Sequence, residues 1–265
     1  MYVELLTRTL TNTIYQDRSI SMWASLFRLP FRKVAFKEDA RRDGKDWPSL
    51  AHTMVGMARL KNLADLTHRV LQENVAGDLI ETGVWRGGCC ILMRGVLRAY
   101  NDENRKVFLA DSFEGLPPPS SKFRQDRLDL HHWFKPVLAV SEEQVRENFR
   151  RYDLLDEKVV FIKGFFKDTL HKLDGPFSLI RLDGDMYEST MDALKALYPK
   201  LSPGGFVVID DYGLLANCRQ AVDDYRESHD IEAPITKIDH SGVWWRKPAH
   251  GAAKQQGYGP AKTAG

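Results

Sequence analysis

Residues 77–100 read GDLIETGVWRGGCCILMRGVLRAY. An apolar run, a glycine-rich turn and apolar residues at helical spacing follow one another, which predicts a strand, a ligand-holding turn and a helix. Gly83 and Gly88 have the G-x-x-x-x-G spacing of a phosphate loop, but Cys89 and Cys90 stand where that loop needs Lys and then Ser or Thr. Without that lysine no cation meets the β- and γ-phosphates, and an ATPase is excluded. The dinucleotide fingerprint G-x-G-x-x-G fails as well, because Trp85 occupies the position of its middle glycine. What remains is an acidic residue, Glu81, before a glycine turn that opens a helix.

Working outward, the same alternation continues. DLIETG, KVFLADSF, KVVFIKGF, FSLIRLDGD and GFVVIDDY predict strands bounded by turn residues. CCILMRGVLRAY, SEEQVRENFRRY and STMDALKALYPKL have helical spacing, and Ser141 and Gln144 form a capping box at the start of the second. SPGG at 202–205 is expected to end a helix before the fifth strand. Such alternation gives an α/β fold with a mostly parallel sheet and helices on both faces. PITKIDH and GVWWRK, close together, predict an antiparallel pair at the sheet's far edge.

Ligands of such sheets bind beyond the carboxyl ends of the strands. Those ends read Glu81-Thr82-Gly83, Asp111-Ser112, Gly164-Phe165-Phe166, Asp183-Gly184-Asp185 and Asp210-Asp211. Asp also caps helices and starts turns, so each acid has a structural alternative. Asp111, one βα unit after the glycine turn, is placed to accept hydrogen bonds from a ribose diol. Glu81 is placed to face a cation, and a carboxylate there suits a pyrophosphate badly. S-adenosylmethionine has a ribose, an adenine and a sulfonium but no phosphate, and it fits better. Gly83, Gly87 and Gly88 would let the backbone approach its amino-acid end. Phe165 and Phe166 are either an adenine platform or a plain apolar strand end.

Asp183, Asp210 and Asp211 form a second group. Carboxylates converging at neighbouring strand ends repel unless a cation or proton lies between them. Hard oxygen donors select Mg²⁺, Ca²⁺ or Mn²⁺ over zinc. Asp185, separated from Asp183 by one glycine, is free to turn toward a substrate.

Composition limits the alternatives. The chain has 265 residues, 43% hydrophobic, and a formal net charge of +2, which is too balanced to predict nucleic-acid binding. No apolar run approaches the ~18 residues of a membrane span. MYVELLTRTLTNTIY carries Glu4 and Arg8 within its apolar pattern and lacks a signal peptide's core, so a cytoplasmic protein is expected. The three cysteines, two of them adjacent, give neither a disulfide framework nor a metal spacing.

GDLIETGVWRGG, ADSFEGLP, LDGDMYEST, LYPKLSPGGFVVIDDY and GVWWRK together resemble the macrocin O-methyltransferase family, over nearly the whole chain. The resemblance implies a Rossmann-like class I methyltransferase fold with a seven-stranded sheet, mostly parallel with an antiparallel edge strand. It also implies S-adenosylmethionine- and Mg²⁺-dependent methylation of sugar hydroxyls on glycosylated natural products. It is closest to the branch acting on deoxysugars such as noviose. Carried onto this chain, it places metal ligands at Asp183, Asp210 and Asp211 and the base at Asp185. It places cofactor contacts at Glu81, Thr82, Gly83, Asp111, Ser112, Phe113, Ser141, Gly164, Phe165 and Phe166, with Asp183 beside the cofactor too. Some relatives have a histidine base three positions after the first metal ligand; here that position is Met186.

Three regions surround the expected core at 71–247. Residues 1–70 are mostly helical in pattern, and with aromatics such as Trp23 and Phe27 they would form a homodimer interface or cover the sheet. FRLPFRKVAFK at 27–37 is a basic run that reads as a membrane or acidic-partner contact, or more simply as a solvated face. Residues 115–140, GLPPPSSKFRQDRLDLHHWFKPVLAV, form a loop long enough for a lid, with His131, His132 and Trp133 as acceptor contacts. The tail from 248 to 265 lacks periodicity and is expected to be disordered. The expected partner is a small glycoside, not nucleic acid or membrane. A catechol or phenol methyltransferase, a nicotinamide dehydrogenase and a non-catalytic cofactor-binding module are the competing readings. Acceptor screening separates the first, cofactor calorimetry the second, and the intact acid cluster argues against the third.

Overall fold

A computed structural model describes residues 1–21, 32–117, 123, 126 and 135–249. Seven strands form one sheet: β1 (Asp78–Thr82), β2 (Val107–Asp111), β3 (Val159–Lys163), β4 (Phe177–Leu182), β5 (Leu201–Ile209), β6 (Thr236–Lys237) and β7 (Val243–Arg246). Their order across the sheet is β3-β2-β1-β4-β5-β7-β6. The first five strands pair in parallel, and β7 lies antiparallel between β5 and β6. The Rossmann-like class I fold is thus present, with the antiparallel pair at the far edge. The strand order reverses at β1 and β4, the place where open α/β sheets hold their ligands.

Side-chain alternation divides the core into two layers. Leu79, Leu109, Leu179 and Val208 face one way, toward Leu60 and Leu63 of helix α2 (Met57–Gln72) and Leu92 and Val96 of helix α3 (Gly88–Ala99). Ile80, Ala110, Ile180 and Val207 face the other way, toward Met191 and Leu194 of α5 (Tyr187–Leu197) and Val222 of α6 (Ala216–Ser228). Helix α4 (Glu142–Arg151) completes the first layer with Val145 and Phe149, and its N-cap Ser141 accepts from the Gln144 amide as the capping box requires.

The SPGG turn behaves differently from its sequence reading. Helix α5 ends at Leu197 and a 3₁₀ turn (Tyr198–Lys200) follows; the strand then starts at Leu201 and includes the glycines. The register to β4 jumps from Phe177↔Leu201 to Leu179↔Phe206, so SPGG is an excursion within the strand. Gly204, at φ +80°, supplies the left-handed residue that this bulge needs.

The N-terminal part is less helical than its pattern. It holds α1 (Tyr2–Leu10), one further turn (Glu38–Arg42), a two-stranded ribbon (Ser19–Ile20 with Lys33–Val34) and an irregular stretch over 43–56. Arg41, 1% exposed, organises it: its guanidinium donates to Asp17 (2.7 Å), to the Thr11 carbonyl (2.8 Å) and to Asp46 (2.9 Å). Leu6 and Leu10 join the core, so α1 covers the α3 side of the sheet. Helix α2 crosses residue 70, so the extension and the core share it. Trp23, residues 27–31 of the basic run and residues 250–265 lie outside the described residues. No helix among the described residues is long and apolar enough to cross a membrane.

Candidate active site

The carboxyl ends of the strands open into a cavity of about 550 Å³. Ladder hydrogen bonds continue past the strands and hold these ends level: Gly83 N–H to Ala110 O, Asp183 N–H to Thr82 O, and Asp210 N–H to Leu182 O, at 2.9–3.0 Å. Gly83 has φ +78°, and a Cβ there would lie 1.8 Å from the Asp183 carbonyl. Only glycine lets β1 and β4 approach this closely where the chain turns.

Glu81, Gly83, Asp111, Ser112, Phe165 and Phe166 line the cavity, and so do Asp183, Asp185, Asp210 and Asp211. Thr82, Gly87, Phe113, Ser141 and Gly164 do not. Thr82 is fully buried behind the wall, Gly87 is the left-handed N-cap of α3, and Phe113 is 5% exposed. Ser141 is used as the cap of α4, and Gly164 at φ +138° turns β3 into Phe165.

The acids separate by how they are satisfied. The Asp111 carboxylate accepts the amides of Val84 (2.8 Å) and Phe113 (2.7 Å), so it clasps the glycine turn as well as facing the cavity. Burial raises its pKa against the pull of those amides. Glu81 pairs with Arg181, its register partner on β4, and accepts the Cys90 thiol at 2.7 Å. Burial outweighs the guanidinium and raises Glu81 too.

Arg181 is the hub. From the penultimate position of an apolar strand, 3% exposed, it donates to Glu81, to Asp183 (2.9 Å) and to Asp210. Arg59 of α2 takes the other oxygen of Asp210 and donates to Asp239 at 3.0 Å. Burial alone would raise Asp210, but the two arginines outweigh it and hold its pKa below the usual carboxylate range.

Asp183, Asp185 and Asp211 are brought together: one carboxylate oxygen of each lies within 4.8 Å of the others. Gly184 and a left-handed Asp185 (φ 58°) turn the chain so that both aspartates reach the cluster. Burial, then Asp210, pushes Asp183 up to about 8, and burial with Asp185 pushes Asp211 well up. Asp211 Oδ2 is buried with no hydrogen-bond partner among the described residues. Crowded hard oxygens and an orphaned buried acceptor fit a divalent cation, which would supply the missing partner and the missing charge. Asp210 has both oxygens on arginines, yet each keeps a lone pair. Met186, where some relatives carry a histidine, is 2% exposed.

Several wall residues were not singled out from the sequence. Arg59 and Arg181 are two, and a charge inside an apolar strand was the available signal, since a buried charge must be paired. Residues Trp47, His52, Thr53, Met54 and Val55 of the extension form another side. Leu116, Pro117 and Leu138 bring the ends of the 115–140 segment to the cavity, and Asp126 within it caps α5 by accepting the amides of Tyr187 (2.9 Å) and Glu188 (3.0 Å). His131, His132 and Trp133 lie outside the described residues.

Comparison with known proteins adds four findings. The family model described as Macrocin-O-methyltransferase (TylF) matches residues 1–247. Over 93% of each chain the protein is 47% identical to the demethyldecarbamoylnovobiocin O-methyltransferase of Streptomyces niveus. It is 50% identical, over 97% of this chain and 96% of the other, to a Streptomyces olivaceus enzyme described as 8-demethyl-8-(2,3-dimethoxy-alpha-L-rhamnosyl)-tetracenomycin-C 4'-O-methyltransferase. The solved structure of the O-methyltransferase NovP superposes with a TM-score of 0.87 at 46% identity, covering 93% of this chain and 98% of that one.

Proposed function

The chain belongs to the macrocin-O-methyltransferase family and is an S-adenosylmethionine-dependent O-methyltransferase, and from that premise we propose that it methylates a sugar hydroxyl on a glycosylated natural product with the help of Mg²⁺. The observation that carries the reading is the convergence of Asp183, Asp185 and Asp211 beside the glycine turn. The named relatives supply the acceptor class: one acts on a novobiocin precursor, the other on a rhamnosyl tetracenomycin.

Asp183, Asp210 and Asp211 are the proposed metal ligands. Mg²⁺ held there would favour the alkoxide form of a neighbouring sugar hydroxyl, a group barely ionised at neutral pH. Asp185 is the proposed base and would take the hydroxyl proton as the oxygen attacks; such help contributes roughly 10²- to 10⁴-fold. Arg181 and Arg59 fix Asp210 and balance part of the negative charge. The glycine turn, Asp111, Ser112 and the Phe165–Phe166 pair form the cofactor side; Thr82, Gly87, Phe113, Ser141 and Gly164 support it from behind. Leu116, Pro117 and Leu138 line the cavity from the described ends of the 115–140 segment, and the rest of the lid expected there lies mostly outside the described residues.

The direct test is an acceptor screen: glycosides bearing free deoxysugar hydroxyls, S-adenosylmethionine, and mass detection of one added methyl group. A methyl gain on sugars is expected. Gain only on catechols or phenols would move the acceptor class, and binding of NAD(H) in place of S-adenosylmethionine would remove the reading.

A further inference from the structure

Residues 44–55 belong to the N-terminal extension, yet Trp47, His52, Thr53, Met54 and Val55 form a wall of the cavity. On its far side the segment is held by the extension itself: Pro48 bridges antiparallel to Ser19, the Ser49 amide donates to the Arg18 carbonyl (2.9 Å) and the His52 amide to the Leu10 carbonyl (2.9 Å). Two attachments join it to the glycine turn. The Arg86 guanidinium donates from Nη1 to the carbonyls of Ala51 (2.8 Å) and Pro48 (3.3 Å). The Gly88 amide, at the start of α3, donates to the His52 carbonyl at 3.0 Å. A Cβ on Gly88 would lie 2.5 Å from that carbonyl, so the wall itself requires glycine here.

Arg86 is fixed on its own side as well. Its guanidinium lies 4.2 Å over the Trp85 ring, and its carbonyl accepts from Asn148 Nδ2 at 3.0 Å. Among the described residues it forms no ion pair, and its Nη1 alone serves two neutral carbonyls of one bend. Trp85 is left-handed (φ 45°), an outlying conformation for a bulky residue, and its Nε1 donates to the Val137 carbonyl at 2.9 Å. Residues 84–88 therefore touch the cofactor side through Val84, whose amide Asp111 accepts, and the extension through Arg86. A ligand that orders the turn orders the bend bolted to it.

We propose that Arg86 is a positioning residue that couples occupancy of the cofactor site to the order of residues 44–55, so that cofactor binding assembles one wall of the acceptor site. The inference rests on the cofactor assignment of the preceding section. It asks nothing about which glycoside is methylated.

The probe is S-adenosylhomocysteine on the full chain, read by amide hydrogen exchange at residues 45–55 and by calorimetry. In the wild-type protein the ligand slows exchange there. Arg86→Met binds the ligand with a Kd within about threefold of wild type, under 1 kcal/mol by the usual conversion, but the ligand no longer slows exchange at 45–55. Arg86→Lys, which keeps the charge but not the fork, restores part of the slowing and carries the test if Arg86→Met does not fold. A merely structural arginine would give faster exchange with and without ligand and leave the ligand-dependent ratio unchanged; that result overturns the coupling. Ligand binding to wild type with no change at 45–55 overturns it too. Failure of wild type to bind S-adenosylhomocysteine refutes the cofactor assignment beneath it, and the coupling with it.

Discussion

At the ends of β1 and β2 the protein satisfies its own carboxylates. Asp111 accepts two backbone amides, and Glu81 takes Arg181 and Cys90. A few ångströms away, at the ends of β4 and β5, Asp183, Asp185 and Asp211 crowd together, and one Asp211 oxygen is buried without a partner. Both groups are acids at strand ends, and both face one cavity. The first holds the glycine turn in shape; the second is left in deficit, and under the proposed function a cation would fill that deficit and one carboxylate would act on a substrate. Arg181 stands between them and serves both.

If this division is right, substitutions on the two sides should differ in kind. The largest effect is expected from Asp185→Asn: kcat for methyl transfer should fall by roughly 10²- to 10⁴-fold, with S-adenosylhomocysteine affinity within a few-fold of wild type. Retention of near-normal kcat would assign the base elsewhere.

Next comes the hub. Arg181→Met leaves Glu81 buried without its cation, while Asp210 keeps Arg59 and Asp183 is part-exposed, and breaking a buried pair from one side costs about 3–5 kcal/mol. Chemical denaturation should show the loss, and added Mg²⁺ should recover part of it if the acids are its ligands. No loss would mean that Arg181 is not what compensates the buried charge of Glu81.

The pH dependence sharpens the contrast further. The Asp183 pKa is raised from 3.8 to about 8, so its protonated form is favoured by folding, and the associated stability is lost as pH rises through the folded value. His52 has the opposite sign: burial, followed by Arg151 and Arg86, lowers it from 6.5 to about 4, and its contribution is lost only as pH falls below 6.5. Between pH 6.5 and 8 the carboxylate therefore acts alone of the two. In EDTA the melting temperature should decline over that interval, and saturating Mg²⁺ should flatten the decline. A flat profile in EDTA would contradict a deficit at Asp183.

On the satisfied side the effects are smaller. Asp111→Asn weakens two charge-assisted bonds to the turn, and about 1–3 kcal/mol should appear chiefly as weaker cofactor binding. Smallest is Cys90. Cys90→Ser keeps a donor to Glu81 and should be near neutral, whereas Cys90→Ala leaves a buried carboxylate oxygen short of a donor and should cost on the order of 1 kcal/mol. Cys89 and Cys90 lie buried in the first turn of α3, and Cys90 adds this bond to Glu81.

The strands and helices of the core were legible because alternating apolar runs and glycine turns are local signals; Asp78–Thr82 and Gly88–Ala99 lie where the residues place them. The acids at the strand ends were legible for the same reason. Their division was not: whether Asp210 faces an ion or an arginine depends on Arg59, 151 positions away in the chain, and on the β1–β4 register that sets Arg181 beside Glu81. SPGG misled because a turn signature does not say whether the chain leaves the sheet or bulges within it. The 44–55 wall carries no periodicity, and only its carbonyls meet Arg86, so side-chain identities could not announce it.

The central claim is that the deficit at Asp183 and Asp211 is filled by Mg²⁺ during methyl transfer. It is tested most directly by following labelled methyl from S-adenosylmethionine onto a deoxysugar glycoside in thorough EDTA and then titrating Mg²⁺ back. Transfer that stops in EDTA and returns with Mg²⁺ is the predicted result; undiminished transfer in EDTA would contradict it.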